Sequence, residues 1–127
     1  MKTQLETILN FPQFYSLTTT TKIPIKTAYK LSRLADAVEK EINFYRTKFR
    51  EILDEYCLLD DDGNYAITDD GTGYKIQPGK EVECNQAMED LHALEIELPD
   101  ITFTIEEFDG MELRIQDLNG IMPFIVD

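Results

Sequence analysis

The stretch PIKTAYKLSRLADAVEKEINFYRTKFREILDEYCL, residues 24–58, decides the fold because it carries the longest periodic pattern in the chain. Its apolar residues step alternately by three and four positions over about four heptads, and no glycine or second proline follows until Gly63. Pro24 is compatible with the first helical position, where the missing N–H is not needed. The spacing therefore predicts one amphipathic helix, roughly 50 Å long. Its heptad seam comprises Ala28, Leu31, Ala35, Val38, Ile42, Tyr45, Phe49, Ile52 and Tyr56.

The apolar surface of this helix is wider than a two-stranded seam. Leu34 and Leu53 occupy flanking heptad positions, and Phe44 lies further round the helix. A strip this wide is typical of a helix packed by several elements of its own chain. An intermolecular coiled coil or bundle along the same seam is the alternative, and it would make the protein a homo-oligomer through the long helix. Small Ala28 and Ala35 predict close helix contacts near the N-terminal end of the helix. Looser packing is expected toward its C-terminal end, where the seam residues are mostly aromatic.

The length of 127 residues fits one domain with three parts. These parts are an N-terminal anchoring segment (1–22), the long helix (24–58) and an acidic α+β part (59–127). No apolar run approaches the roughly 18 residues of a membrane span, and the N-terminus lacks the layout of a signal peptide. Cys57 and Cys84 could form a disulfide, but we favour two small buried thiols in a reducing compartment.

The formal net charge of −13 is distributed unevenly along the chain. Residues 1–50 carry nine Lys/Arg and four Asp/Glu, a balance of +5, whereas residues 51–127 carry three and twenty-one, a balance of −18. The two parts should attract each other, which favours packing of the acidic part against the basic helix. The negative excess repels polyanions, and there is no clustered basic patch with interleaved aromatic residues. We therefore expect no direct nucleic-acid binding.

Alternation and turn residues predict the remaining elements. Runs 65–67 and 74–76 predict a β-hairpin around a loop rich in Gly and Asp, and a second helix is expected over 80–93. The fold class is therefore α+β: one long amphipathic helix packed by a β-hairpin, a second helix, a small antiparallel sheet and a short C-terminal helix. The other predicted segments are helical turns at 3–9, a β-leaning linker at 18–21, strands at 96–98, 101–105 and 113–115, and a C-terminal helix at 117–126 broken near Gly120 and Pro123.

The sequence shows no constellation typical of catalysis or of a bound cofactor. His92 is the only histidine, and the many carboxylates lie in runs or on the polar faces of helices and strands. The acidic run 60–62 before Gly63 suggests a calcium loop. Placing either nearby glycine at the sixth position of such a loop, however, puts Leu58 or Ala66 at the first, where an acid is required. We expect no enzyme, no cofactor and no metal site.

Two sets of residues remain as candidates for partner binding. An apolar cluster around Pro12 most simply anchors the N-terminal segment to the core, with docking to a partner as the alternative, and the apolar C-terminus has the same two interpretations. The acidic turns after the long helix are solvated loops, or part of an acidic surface that occupies a basic groove. The candidate residues are Phe11, Phe14, Tyr15, Phe124, Asp60, Asp61, Asp62, Asp69 and Asp70.

The order Ile23-Pro24-Ile25-Lys26-Thr27-Ala28-Tyr29-Lys30-Leu31, followed by the charged helix 39–56, resembles a recurrent group of small tailed-phage proteins of uncharacterised function. The run Gly63-Asn64-Tyr65-Ala66-Ile67, the acidic second helix, the alternating segment 101–105 and the terminal helix fit the same layout. The resemblance covers residues 22–127. It implies phage origin and an α+β fold, and it supplies no site residues. The aromatic cluster 11–15 departs from the pattern, which leaves the role of that segment open.

Two functional classes follow. We expect first a non-enzymatic phage accessory protein that acts through protein–protein contacts in virion structure or assembly. The alternative is an acidic inhibitor or nucleic-acid mimic that acts on a host protein. Either role places the protein in the host cytoplasm or in the virion, without a membrane partner.

Overall fold

The structure is a computed structural model that describes residues 1–126, and its fold is α+β, as the sequence predicts. One long helix carries two shorter helices and a two-stranded antiparallel sheet. The strands and α-helices are β1 (Lys2–Gln4), α1 (Phe11–Thr18), α2 (Ile25–Tyr56), α3 (Glu81–His92) and β2 (Glu95–Glu97). Short 3-10 helices cover Leu5–Ile8, Ile105–Phe108, Ile115–Gly120 and Met122–Phe124.

Helix α2 confirms the strongest sequence prediction to within two residues at each end. It begins directly after Pro24, and Cys57 leaves it in an extended conformation. Leu34 and Leu53 are buried together with seam residues, so the buried strip is wider than a two-stranded seam. Helices α1 and α3 and the first 3-10 helix pack against α2 within the same chain. Beyond Ile42 the seam residues are only half-buried, consistent with the looser packing expected there.

The N-terminus contains a strand where helical turns were predicted. Segment β1 pairs antiparallel with β2, with Thr3 opposite Ile96. The prediction for residues 3–9 is therefore wrong for Thr3 and Gln4, because the strand's partner lies more than ninety residues away and leaves no local signal. The prediction of a strand at 96–98 is confirmed as β2. Leu5 and Ile8 are fully buried and belong to one 3-10 turn, which explains their helix-like spacing.

The aromatic cluster after the first turn forms helix α1. The Phe11 ring meets Phe124 edge-on at a centroid distance of 5.7 Å, and the Phe14 ring meets Phe108 at 5.4 Å. These contacts bring both ends of the chain into one core. The β-leaning linker expected at 18–21 is instead the end of α1 and a turn, in which threonine hydroxyls donate to carbonyls three or four residues earlier. The fully enclosed core comprises Leu5, Ile8, Phe11, Phe14, Leu31, Leu34, Val38, Phe103, Ile121 and Phe124.

The C-terminal segment is mostly irregular, so two predicted strands are wrong. Within 101–105 only Phe103 forms a bridge, parallel to Ile125, and the chain then enters the 3-10 helix Ile105–Phe108. The segment 113–115 leads into the 3-10 helix Ile115–Gly120. Ile101 and Phe103 are buried, but Ile105 and Ile115 are exposed, and no neighbouring strand among the described residues completes a ladder in either segment. The C-terminal helix predicted at 117–126 is present as two 3-10 turns that meet at Ile121.

A hairpin over residues 57–77 follows α2. The predicted pairing of 65–67 with 74–76 is confirmed by an antiparallel bridge between Ile67 and Tyr74. A third segment, which the sequence did not reveal, adds bridges Leu59–Tyr65 and Cys57–Ile76. No described residue between 53 and 90 belongs to the main core cluster. The hairpin is therefore held at the end of α2, away from that core.

Both cysteines are free and buried, which agrees with the favoured expectation. Burial raises the pKa of the Cys57 thiol and of the Cys84 thiol, which keeps both in the unreactive protonated form. In the part of the chain that the structure describes, no helix combines the length and the apolar character needed to cross a membrane.

Candidate protein-interaction surface

The hairpin presents apolar side chains to solvent. Leu59 is 62% exposed, Ile67 is 57% exposed, and Tyr74 beside them is 39% exposed. Together with Tyr65 and Asp54 they line one open depression. Large apolar side chains grouped on a surface commonly mark a contact site, whereas single ones carry no such meaning. We call Leu59, Tyr65, Ile67 and Tyr74 the hairpin patch.

The hairpin patch is fixed to α2 by backbone and aromatic contacts. The Gln77 N–H donates to the carbonyl of Tyr56, the last residue of α2, at 2.8 Å, and the Tyr65 hydroxyl donates to the Asp54 carboxylate on α2. The Tyr74 ring packs edge-on against Phe49 of α2, with centroids 6.0 Å apart. The patch is therefore presented in a defined orientation, which lowers the ordering cost of binding.

The five candidate aspartates of the hairpin divide into two groups. Asp60 Oδ1 accepts the N–H groups of Asp62 and Asn64, both at 2.9 Å, and so closes the first turn. Asp70 closes the second loop in the same way. Hydrogen bonds from the Thr68 hydroxyl, and then from Thr72, lower the pKa of Asp70 to about 2. These two carboxylates are occupied in shaping the loops.

The other three aspartates lie on the same hairpin and face solvent. Asp61, Asp62 and Asp69 are exposed, and the one ion pair among them joins Asp69 to Lys75 at 3.8 Å. An ion pair of this exposure leaves the carboxylate largely available to solvent or to a partner. The hairpin thus combines an apolar patch with free negative charge, the composition that fits a partner surface of apolar and basic residues.

The aromatic candidates from the two ends of the chain lie elsewhere. Phe11, Phe14 and Phe124 are at most 1% exposed. Their anchoring interpretation is the one that the structure supports, and their docking interpretation is withdrawn because a partner cannot reach them. Tyr15 is half-buried and lines a groove of about 320 Å³ between α1 and α2, with Arg46 on the opposite wall.

A second exposed apolar pair, at the start of α2, was missed from the sequence. Ile25 is 85% exposed and Tyr29 is 64% exposed, one turn apart on the helix. The Arg33 guanidinium lies 5.9 Å from the centroid of the Tyr29 ring. The sequence does contain an indication of this pair. Ile25 and Tyr29 are apolar, but neither belongs to the heptad seam that begins at Ala28, so the periodic pattern does not assign them to the core.

Titratable side chains do not converge on a site within residues 1–126. The His92 ring stacks on Tyr45, and its Nε2 lies 3.0 Å from the tyrosine hydroxyl, which fixes the end of α3 against α2. The described residues contain no group of three or more His, Cys, Asp or Glu side chains placed to hold a metal ion. The most distinctive surface among the described residues is therefore the hairpin patch.

The fold and its surface define a small α+β protein built round one helix, with an acidic hairpin at the end of that helix. No family model, no curated protein and no solved structure matches the chain.

Proposed function

We propose that the protein is a non-enzymatic phage accessory protein that binds another protein through its hairpin, in virion structure or assembly. The observation that carries the proposal is the hairpin patch: apolar side chains exposed outside the core and fixed to α2, on a hairpin that also exposes three carboxylates. The phage assignment rests on the resemblance of residues 22–127. A role in the host cytoplasm or in the virion belongs to the same proposal.

Two physical properties place binding at the hairpin: its exposed apolar side chains and its exposed negative charge. Burying Leu59, Ile67 and Tyr74 against a partner removes apolar surface from water, which stabilises the complex. The exposed aspartates of the same hairpin add selectivity for a basic partner surface and speed encounter at low salt. The core aromatic residues contribute only by holding the scaffold.

The test is affinity capture from infected cells, with partners identified by mass spectrometry. The variant Leu59→Ser/Ile67→Ser should lose the partner that wild type retains, because the apolar part of the contact is removed. Val82→Ser is the matched control, since Val82 is 82% exposed on α3 and lies outside the hairpin. Equal recovery of the same partner by all three proteins would refute the hairpin as the binding surface.

The alternative is an acidic inhibitor or nucleic-acid mimic acting on a host protein, and the exposure of Asp61, Asp62 and Asp69 favours it. Salt separates the two roles, because screening weakens contacts between exposed charges and leaves apolar burial intact. A phage structural protein retained at moderate salt supports the accessory role. Capture of a basic host protein supports the inhibitor role if salt releases that protein. The substitution of Asp61, Asp62 and Asp69 by Asn should then abolish its binding. Neutralising Glu81, Glu83 and Glu89 on α3 to Gln removes the same number of exposed charges and is the charge-matched control for that substitution.

A further inference from the structure

Helix α2 separates two exposed surfaces of opposite charge. Its start presents Ile25 and Tyr29, and we call this pair together with Lys22, Lys26 and Arg33 the basic end. Its far end carries the hairpin patch with its aspartates. The 32 residues between Ile25 and Tyr56 span about 48 Å at 1.5 Å per residue. The two surfaces therefore cannot meet within one copy of the chain.

The cations of the basic end remain available. Within residues 1–126, none of Lys22, Lys26 and Arg33 forms a salt bridge. Their neighbour Lys30 is different, because its Nζ lies 3.1 Å from both carboxylate oxygens of Glu107. One exposed carboxylate, Glu106, lines the same shallow cleft as Lys26 and reduces the local positive charge without cancelling it. The positive end of the α2 dipole adds to this charge.

We propose that the hairpin of one copy binds the basic end of a second copy, head to tail. The proposal rests on the proposed function in taking the hairpin as a contact surface, and it names a second copy of this chain as the occupant. The two surfaces are complementary: exposed Leu59 and Ile67 would pack against exposed Ile25 and Tyr29, while the exposed aspartates of the hairpin would meet the unpaired cations of the basic end. The net charge of −13 makes any two copies repel each other, and contact between the acidic hairpin and the basic end is an orientation in which local attraction opposes that repulsion.

The symmetry of such a contact makes a distinctive prediction. Two different surfaces meet, so the contact is heterologous, and each copy retains one unused surface after pairing. Assembly therefore continues into rings or open chains and does not stop at a two-fold dimer. A coiled coil along the α2 seam would behave differently, since it would pair the same surface of both copies.

Sedimentation velocity over a concentration series tests the proposal. Wild type should form species larger than a dimer as concentration rises. Leu59→Ser/Ile67→Ser and Ile25→Ser/Tyr29→Ser should each be monomeric alone, with self-association weakened at least about tenfold. All four side chains are more than half exposed, so both variants should remain folded, which circular dichroism checks. An equimolar mixture of the two variants keeps one intact contact and should give a dimer and nothing larger.

The outcomes are separable from those of the proposed function. A dimer in the mixture, with Val82→Ser behaving as wild type, supports the head-to-tail contact. A monomeric wild type at every concentration overturns it, as does an oligomer that Ile25→Ser/Tyr29→Ser leaves unchanged. If wild type is monomeric and the hairpin variant still loses a different captured protein, this inference fails and the proposed function stands.

Discussion

Replacing Phe14 by Ala separates the core interpretation of the N-terminal aromatic cluster from the docking interpretation. The Phe14 side chain is 1% exposed, and its ring meets Phe108 edge-on at 5.4 Å. Truncating a buried phenylalanine removes its transfer free energy and leaves a cavity, which costs about 3–5 kcal/mol, and the lost aromatic pair lies within that range. At roughly 4 °C per kcal/mol for a chain of this length, the melting temperature should fall by about 12–20 °C.

Urea unfolding followed by far-UV circular dichroism measures this change directly. Ile67→Ala serves as the matched comparison because Ile67 is 57% exposed on the hairpin, and it should change the free energy of unfolding by no more than about 0.5 kcal/mol. Its effect should appear in binding instead. A loss below about 1 kcal/mol for Phe14→Ala, with an unchanged denaturant slope, would refute the placement of Phe14 in the core.

Two further predictions concern contacts that join distant parts of the chain. Gly120→Ala should destabilise the fold by about 1–3 kcal/mol in urea unfolding, because an added Cβ would lie 2.5 Å from the Asn10 carbonyl oxygen. An unchanged urea midpoint would show that the turn containing Gly120 is not in close contact with the start of α1. Glu107→Gln should cost about 1 kcal/mol at neutral pH, since it removes the ion pair with Lys30. Burial disfavours the charged Glu107, but hydrogen bonds from Lys30 and the Thr104 N–H outweigh it and lower its pKa. The wild-type advantage should therefore be complete above the ordinary glutamate value of 4.5 and vanish as the pH falls through the lowered pKa; an advantage that persists in acid would contradict this assignment.

The elements predicted correctly are those whose signal is local. Helix α2 is visible because its heptad steps repeat over more than thirty residues, and α3 because Cys84 and Leu91 recur on one face of a charged segment. The hairpin is visible because Gly71 and its neighbours suit a loop with positive φ, which Gly71 adopts at +72°. In each case the residues that determine the element lie within the element.

The candidate site was predicted only in part. The acidic turns were identified, but their sequence does not reveal that Asp60 and Asp70 close their own loops while Asp61, Asp62 and Asp69 face solvent. That difference depends on loop geometry. Burial argues against the docking interpretation of Phe11, Phe14 and Phe124 for the same kind of reason, since composition does not indicate what covers an apolar side chain.

The sequence by itself determined the long helix, the second helix, the hairpin and the division into a basic and an acidic part. Periodicity and charge are properties of neighbours along the chain, so no folding partner is needed to detect them. Only the tertiary structure decided that the N-terminal residues form a strand with β2, that Phe11 and Phe124 meet in one core, and that the hairpin patch stays outside it. These features depend on contacts between segments as many as 113 positions apart, such as Phe11 with Phe124, and the free energy of such contacts is set by the whole fold.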